Sequence, residues 1–317
     1  MQVRTPTETR IGALIDNIEQ VIYGKRDVIK LCIAGLLARG HLLIEDVPGI
    51  GKTTLAHALA KSINCSFARI QFTSDLLPSD ITGVSILDTR SKDFQFRPGP
   101  IFSNVVLADE INRTTPKTQS ALLEAMNERQ VSIDNVTYPL PRPFIVLATQ
   151  NPVEYEGTYP LPESQLDRFT LRLKIGYPGK QHEVRMLHRK GGDAPLSQLV
   201  PVLDASDVLA LQDIVHEVKV DGSLVDYIMA IVQQTRQHDD IELGVSPRGT
   251  MSFYQTAQAY ALVEGRDYVI PDDTKTLAVA VLSHRIILHS QRTIAGTTTE
   301  AEEKVIHEIL DSLRVPL

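Results

Sequence analysis

Residues Glu45-Asp46-Val47-Pro48-Gly49-Ile50-Gly51-Lys52-Thr53-Thr54 decide how this chain folds. The apolar run Leu42-Leu43-Ile44 leads into them, and a helix-compatible stretch, Leu55 to Ile63, leaves them. Strand, glycine loop, Gly-Lys-Thr and helix is the arrangement of a phosphate-binding loop. Loop N–H groups point inward around the phosphates, and the helix N-terminus adds partial positive charge. Gly49 and Gly51 carry no Cβ, so the backbone can come close to its ligand. Lys52 reaches the β- and γ-phosphates, and the Thr53 hydroxyl ligates Mg²⁺. The candidate nucleotide-binding stretch is therefore Val47, Pro48, Gly49, Ile50, Gly51, Lys52, Thr53 and Thr54. The usual motif opens with glycine; Asp46 stands there and is expected to narrow the loop's backbone freedom.

A second apolar run, Val105-Val106-Leu107-Ala108, ends in Asp109-Glu110. Two acids at a strand end are more often solvated than catalytic. Downstream of a phosphate loop they read as an Mg²⁺-holding aspartate and a general base, Glu110, that activates the attacking water. A third run, Phe144 to Ala148, continues into Thr149-Gln150-Asn151-Pro152. Asn151, or Thr149 beside it, is placed to hydrogen-bond the γ-phosphate or that water. The competing reading is a cap or Asx-turn ahead of Pro152.

Phe67 to Phe72 and Leu171 to Ile175 are two further runs of strand length. Helical stretches lie between several strands: Thr115-Pro116 opens one, with Leu122, Leu123 and Met126 facing inward. Upstream, Pro6 starts a helix whose Ile11, Leu14, Ile15 and Ile18 share a face. Strands alternating with helices predict an α/β fold with a parallel sheet covered on both faces. Ligands of such sheets sit beyond the carboxyl ends of the strands. Two polar-turned pairs, 84–87 with 93–97 and 131–133 with 136–138, predict inserted β-hairpins, the second turning on Asp134-Asn135. After Tyr177-Pro178-Gly179 the texture becomes helical, with segments expected at 181–189, 205–215, 223–237, 247–264, 271–290 and 299–313. The division expected is 1–177 for an α/β core and 178–317 for an all-helical lid.

Composition narrows the function classes. The 317 residues are 43% hydrophobic and 22% charged, with net charge −7. A dedicated duplex-DNA binder would more often show a basic field. Cys32 and Cys65, the two cysteines, read as buried free thiols, and no zinc-ligand spacing occurs. The N-terminus has no apolar signal core, and no apolar run reaches the ~18 residues of a membrane span. A cytoplasmic location is the expectation.

As an ordered set these motifs resemble an AAA+ ATPase and, within that superfamily, the MoxR family. The residues that carry the resemblance are 43–53, Ala108-Asp109-Glu110-Ile111-Asn112-Arg113, 121–126, 148–152, Leu166-Asp167-Arg168-Phe169 and Ser246-Pro247-Arg248. The fold it implies is a five-stranded P-loop core with inserted hairpins and a helical lid. It makes Asp109 and Glu110 the second Walker motif and Asn151 the first sensor. Arg168 matches the arginine finger that reaches a neighbouring subunit's γ-phosphate, with Arg113 a second candidate for the interface. Arg248 matches the second sensor, which would read loss of the γ-phosphate and move the lid. Tyr23 and Gly24 would lie near the adenine. The hairpins resemble superfamily inserts that tend to face a central pore. The expected protein is a ring, a hexamer, using ATP and Mg²⁺ to remodel or mature a client protein, with a separate von Willebrand factor A domain protein as a candidate partner. A nucleic-acid-stimulated motor is the main alternative. Arg90, Lys92 and Arg97 of the first hairpin would serve it, whereas the second hairpin is poor in basic residues. A small-molecule kinase is disfavoured by Asp109-Glu110, Asn151, Arg168 and Arg248, a hydrolysis and ring-coupling set, and a nucleotide-locked module without turnover is a further alternative.

Overall fold

The structure is a computed structural model that describes residues 6–89, 92–151, 158–188, 195–289 and 298–316. Arg90, Pro152 and Arg189, which entered the sequence reading, lie outside the described residues. Helices α1 (Pro6–Glu19) and α2 (Arg26–Leu37) precede strand β1 (Leu42–Glu45). Helix α3 (Lys52–Ser62) follows the glycine loop. Strands β2 (Phe67–Gln71), β3 (Val105–Asp109), β4 (Ile145–Gln150) and β5 (Leu171–Leu173) complete the sheet, with α4 (Pro116–Glu128) between β3 and β4.

The order across the sheet is β2-β3-β4-β1-β5, all parallel. Gln71 pairs with Asp109, and Glu45 with Gln150, so the polar strand ends are aligned at one edge. Alternation along each strand divides the apolar residues between two cores. Leu42, Ile44, Val105, Leu107, Ile145 and Leu147 pack with α1, α2, α3 and the later helices. Leu43, Val106, Ala108, Val146 and Ala148 pack with Leu122, Leu123 and Met126 of α4. The predicted inward faces of α1 and α4 are both buried.

Both expected hairpins form, at Gly83–Leu87 with Phe94–Pro98 and at Gln130–Ile133 with Val136–Pro139. Asp134 and Asn135 take φ of 50° and 65°, the left-handed turn their short polar side chains tolerate. The helices after the sheet are α5 (Lys180–His188), α6 (Ala205–Ile214), α7 (Gly222–Gln237), α8 (Pro247–Val263), α9 (Pro271–Leu282) and α10 (Thr298–Ser312). The helix expected over 271–290 stops at Leu282. Beyond it a 3₁₀ turn buries His284 and Arg285, and Ile287–Leu288 pairs antiparallel with Ile241–Leu243. Arg285 enforces the break: Nε pairs with Asp167 at 2.8 Å, and the guanidinium donates to the Phe169 carbonyl at 2.7 Å.

Candidate nucleotide site

The phosphate loop has the conformation its glycines suggest. Gly49 and Gly51 take φ of 85° and 99°, and Gly51 supplies no side chain to cap α3. The first-turn N–H groups of α3, at Lys52, Thr53 and Thr54, are therefore available to an anion. Asp46 is more than a restriction on the loop. One carboxylate oxygen accepts from its neighbour Val47 N at 2.9 Å, and the other from Gly176 N at 2.6 Å. Gly176 follows β5, so Asp46 fastens the phosphate loop to the stretch that leads into the later helices. Lys25 Nζ donates to the Tyr177 carbonyl at 2.7 Å and reinforces the same junction.

Lys52 Nζ donates to the Asp46 carbonyl. Burial lowers the lysine's pKa, while Asp46, Asp109 and Glu110 act in the opposite direction. The loop cation and the acid pair thus share one electrostatic neighbourhood, although 57 residues of sequence separate Lys52 from Asp109.

The acids are held individually. Asp109, 13% exposed, accepts from Thr149 Oγ1 at 2.6 Å and from Arg69 Nε and a terminal guanidinium nitrogen at 3.1 and 2.6 Å. Thr149 Oγ1 in turn accepts from Glu110 N at 2.9 Å. Glu110 sits at φ 58°, a left-handed conformation unusual for a side chain of its size. Its Oε2 accepts from Gln71 Nε2 at 2.8 Å and from Arg113 at 3.0 Å. Asn151, 6% exposed, directly follows β4. Asp109 keeps acceptor capacity on Oδ1 beyond the Thr149 bond. That carboxylate and the Thr53 hydroxyl are hard oxygen donors of the kind Mg²⁺ takes alongside water and phosphate. The residues present fit the ion.

Arg69 and Gln71 were not among the sequence candidates. The available signal was two polar residues two apart at the end of an apolar strand, which a period of two puts on one face. Thr149 was weighed only as a substitute for Asn151; it occupies a different place, joining both acids.

Arg168 and Arg248 come together, but not at the loop. Arg168 precedes β5, where Thr170 N bonds the His41 carbonyl just ahead of β1. This is the amino end of the sheet, opposite Lys52. Arg168 donates to the Leu123 carbonyl at 2.8 Å, and Arg248, in the first turn of α8, donates to Asn127 at 2.5 Å. Both line a groove of about 400 Å³, with Arg39, His41, Arg129 and His216. Asp167 pairs with Arg285 and also accepts from Ser246 at 3.1 Å, so the segments bearing the two arginines are pinned to each other. Arg113 is on the loop side, bonded to Glu110. Tyr23 and Gly24 also lie on that side, since Ile22 Cδ1 is 3.8 Å from where a Cβ at Gly51 would stand.

Residues 41–171 match the family model described as the ATPase family associated with various cellular activities (AAA), and residues 233–309 match the AAA lid domain. Together with the strand order, this makes the chain an AAA+ ATPase, a nucleotide-binding enzyme that hydrolyses ATP. The chain is 53% identical to the Bacillus subtilis protein YeaC, over 97% of this chain and 95% of that protein. It is 40% identical to the Mycobacterium tuberculosis protein named Chaperone MoxR1, over 95% of this chain and 81% of that protein. It belongs to the MoxR family. A crystal structure of a Cytophaga hutchinsonii protein superposes with a TM-score of 0.88 at 39% identity, covering 98% of this chain and 96% of that one. Among the described residues no helix is long and apolar enough to cross a membrane.

Proposed function

We propose that the chain binds Mg²⁺-ATP on Val47–Thr54 and hydrolyses it with Glu110 as general base, as one member of a hexameric ring that remodels a client protein. The observation that carries the reading is the convergence of Lys52, Asp109 and Glu110 at the carboxyl end of the sheet. Lys52 and the N-terminus of α3 neutralise the phosphates. Thr53 and Asp109 hold the ion, which draws charge from the phosphoryl oxygens when bound. Glu110 takes the proton of water that Asn151 helps to align. Tyr23 and Gly24 border the base.

Ring assembly follows from the arginines. Strands of three to six residues, at ~3.3 Å per residue, separate Arg168 and Arg248 from the phosphate loop of their own chain. A head-to-tail contact would bring them to the loop of the next chain, and a repeated head-to-tail contact closes into a ring. There the paired guanidinium groups would neutralise charge spread over the γ-phosphoryl oxygens. We assign residues 1–177 to the core and 178–317 to the lid, with Gly176 to Gly179 as the junction, and place the protein in the cytoplasm.

A protein client suits the hairpins better than nucleic acid does. Their exposed side chains include Ile86, Leu87 and Val136, with Phe94 73% exposed. Phe96 stacks on Tyr138 at 4.1 Å, which joins the two hairpins into one surface. MoxR1 carries the word chaperone in its name, and the same class of activity is proposed here. The test is a pair of variants in ATP binding and turnover assays. Lys52→Ala should lose ATP binding; Glu110→Gln should bind ATP and fail to hydrolyse it. Hydrolysis by Glu110→Gln at the normal rate would contradict the reading.

A further inference from the structure

The turn that carries the proposed base is held from the inside by one side chain. Glu110, at φ 58°, opens a 3₁₀ turn, Ile111–Arg113, between β3 and α4. A left-handed glutamate persists only where its surroundings over-determine it. Gln119, fully buried at the end of the first turn of α4, supplies much of that constraint. Its Nε2 donates to the Ile111 carbonyl at 3.2 Å, to the Thr114 carbonyl at 3.4 Å and to the Tyr159 carbonyl at 2.9 Å. Tyr159 N donates back to the Asn112 carbonyl at 2.6 Å. One amide therefore clamps both ends of the turn and joins it to Tyr159, 40 residues further along the chain. The amide oxygen gains nothing from this position: Oε1 is buried and meets no hydrogen-bond donor. An unpaired buried oxygen costs stability relative to an apolar side chain of the same size. What glutamine brings here is its two N–H donors, aimed at three carbonyls.

The same helix reaches the proposed finger. Arg168 donates to the Leu123 carbonyl at 2.8 Å, one turn beyond Gln119. Tyr159 begins the stretch that leads through Glu163–Leu166 to Arg168. Misplacing a reacting group by about 1 Å is enough to slow a reaction roughly a hundredfold. We propose that Gln119 is a positioning residue for hydrolysis: its amide fixes the Glu110 turn to α4 and to the segment that ends in Arg168, so that base and finger are set by one helix. Sealed inside the turn, it acts through the backbone that carries Glu110 and not on the nucleotide. This rests on the assignment of Glu110 as the base.

The test is steady-state ATPase and Mg²⁺-ADP affinity of the full-length protein, for wild type, Gln119→Leu, Gln119→Glu and Glu110→Gln. Gln119→Leu keeps the volume and loses the donors. Its kcat should fall roughly ten- to a hundredfold, with ADP affinity within about twofold of wild type. Gln119→Glu sets a carboxyl against the same carbonyls. Burial raises the pKa of such a carboxyl, and its protonated form regains one donor. Its kcat relative to wild type should therefore climb as pH is lowered from about 8.5 to about 6, at constant ADP affinity, whereas the ratio for Gln119→Leu stays flat. Wild-type kcat in Gln119→Leu overturns the inference. So does a loss of ADP affinity as large as the loss of kcat, the mark of a merely structural role, or a flat ratio in Gln119→Glu. If Gln119→Leu does not fold, the Gln119→Glu pH series decides alone. Glu110→Gln separates the two claims. Normal hydrolysis there removes the base and this inference with it; an inactive Glu110→Gln beside a fully active Gln119→Leu refutes only the positioning role.

Discussion

Gln71 holds Glu110: the carboxamide nitrogen of the β2 residue lies 2.8 Å from Oε2 of the proposed base. Arg113 donates to the same oxygen at 3.0 Å. Two donors on Oε2 hold the carboxylate in one orientation, and it swings toward the attacking water only when one of them lets go. Gln71→Ala removes one of them at the cost of a hydrogen bond worth about 1 kcal/mol net, and basal ATPase should rise roughly fivefold. Steady-state phosphate release measures this. A rate equal to or below wild type would show that Gln71 aligns the base rather than restraining it.

The amino end of the sheet should make stability sensitive to acid. His41 is buried, its Nε2 lies 3.1 Å from the Met126 carbonyl, and its Nδ1 accepts from Val146 N at 3.0 Å. Both ring nitrogens are satisfied only when the imidazole is neutral. Burial, opposed by the Met126 bond and helped by the cations Arg129 and Arg248, pushes its pKa down to about 4. The unfolded chain has the ordinary value of about 6.5 and takes up the proton first as pH falls. The contribution of His41 is therefore fully present above about pH 6.5. It declines by roughly 3 kcal/mol between there and pH 4, and changes no further below that. His284 is buried and shifted in the same direction. Urea midpoints across this range should fall with pH, and less steeply by about one proton in His41→Gln. An identical slope in the variant would contradict the assignment.

Arg172 anchors α10 to the sheet. It is 5% exposed on β5, pairs with Glu302 at 2.7 Å, and lies 3.6 Å from Glu45, which ends β1 just before the loop. Its other terminal nitrogen donates to Ser283 at 2.9 Å. Removing the cation leaves the buried Glu302 and the partly buried Glu45 without a countercharge. Arg172→Met should cost about 3–5 kcal/mol in chemical denaturation, and adding Glu302→Gln should recover part of it. A loss below about 1 kcal/mol would mean that water already solvates the acids.

The groove arginines should act as a pair. Arg168→Ala and Arg248→Ala should each lower turnover about a hundredfold or more, the scale of a lost cation at a phosphoryl-transfer centre, with ADP affinity nearly unchanged. Arg113→Ala, on the loop side, should fall short of that. A larger loss in Arg113→Ala would transfer the finger role to Arg113.

The sheet was legible because its strands are apolar runs of the right length and each ends in chemistry. Val105–Asp109 and Ile145–Gln150 announce themselves in this way. Helix α9 was overestimated because the apolar pattern continues past Leu282. What ends the helix is the long-range pair of Arg285 with Asp167, 118 residues apart, and no local signal carries it. Arg69 and Gln71 were missed for a related reason: their partners are across the sheet, and register exists only once the strands are laid side by side. Asp46 was noticed as a departure, but its role depends on Gly176, 130 positions away. Arg248 was assigned by motif alone, which fixes its place on the lid and not the end of the sheet it faces.

The central claim is that one chain's phosphate loop works with the next chain's arginines. Mixing inactive Glu110→Gln chains with inactive Arg168→Ala chains tests it most directly, with mixed assembly verified by differently tagged subunits. Interfaces that pair an intact Glu110 with an intact Arg168 should form, and ATPase should reappear in proportion to their expected frequency. Mixed assemblies with no turnover at any ratio would contradict the shared site.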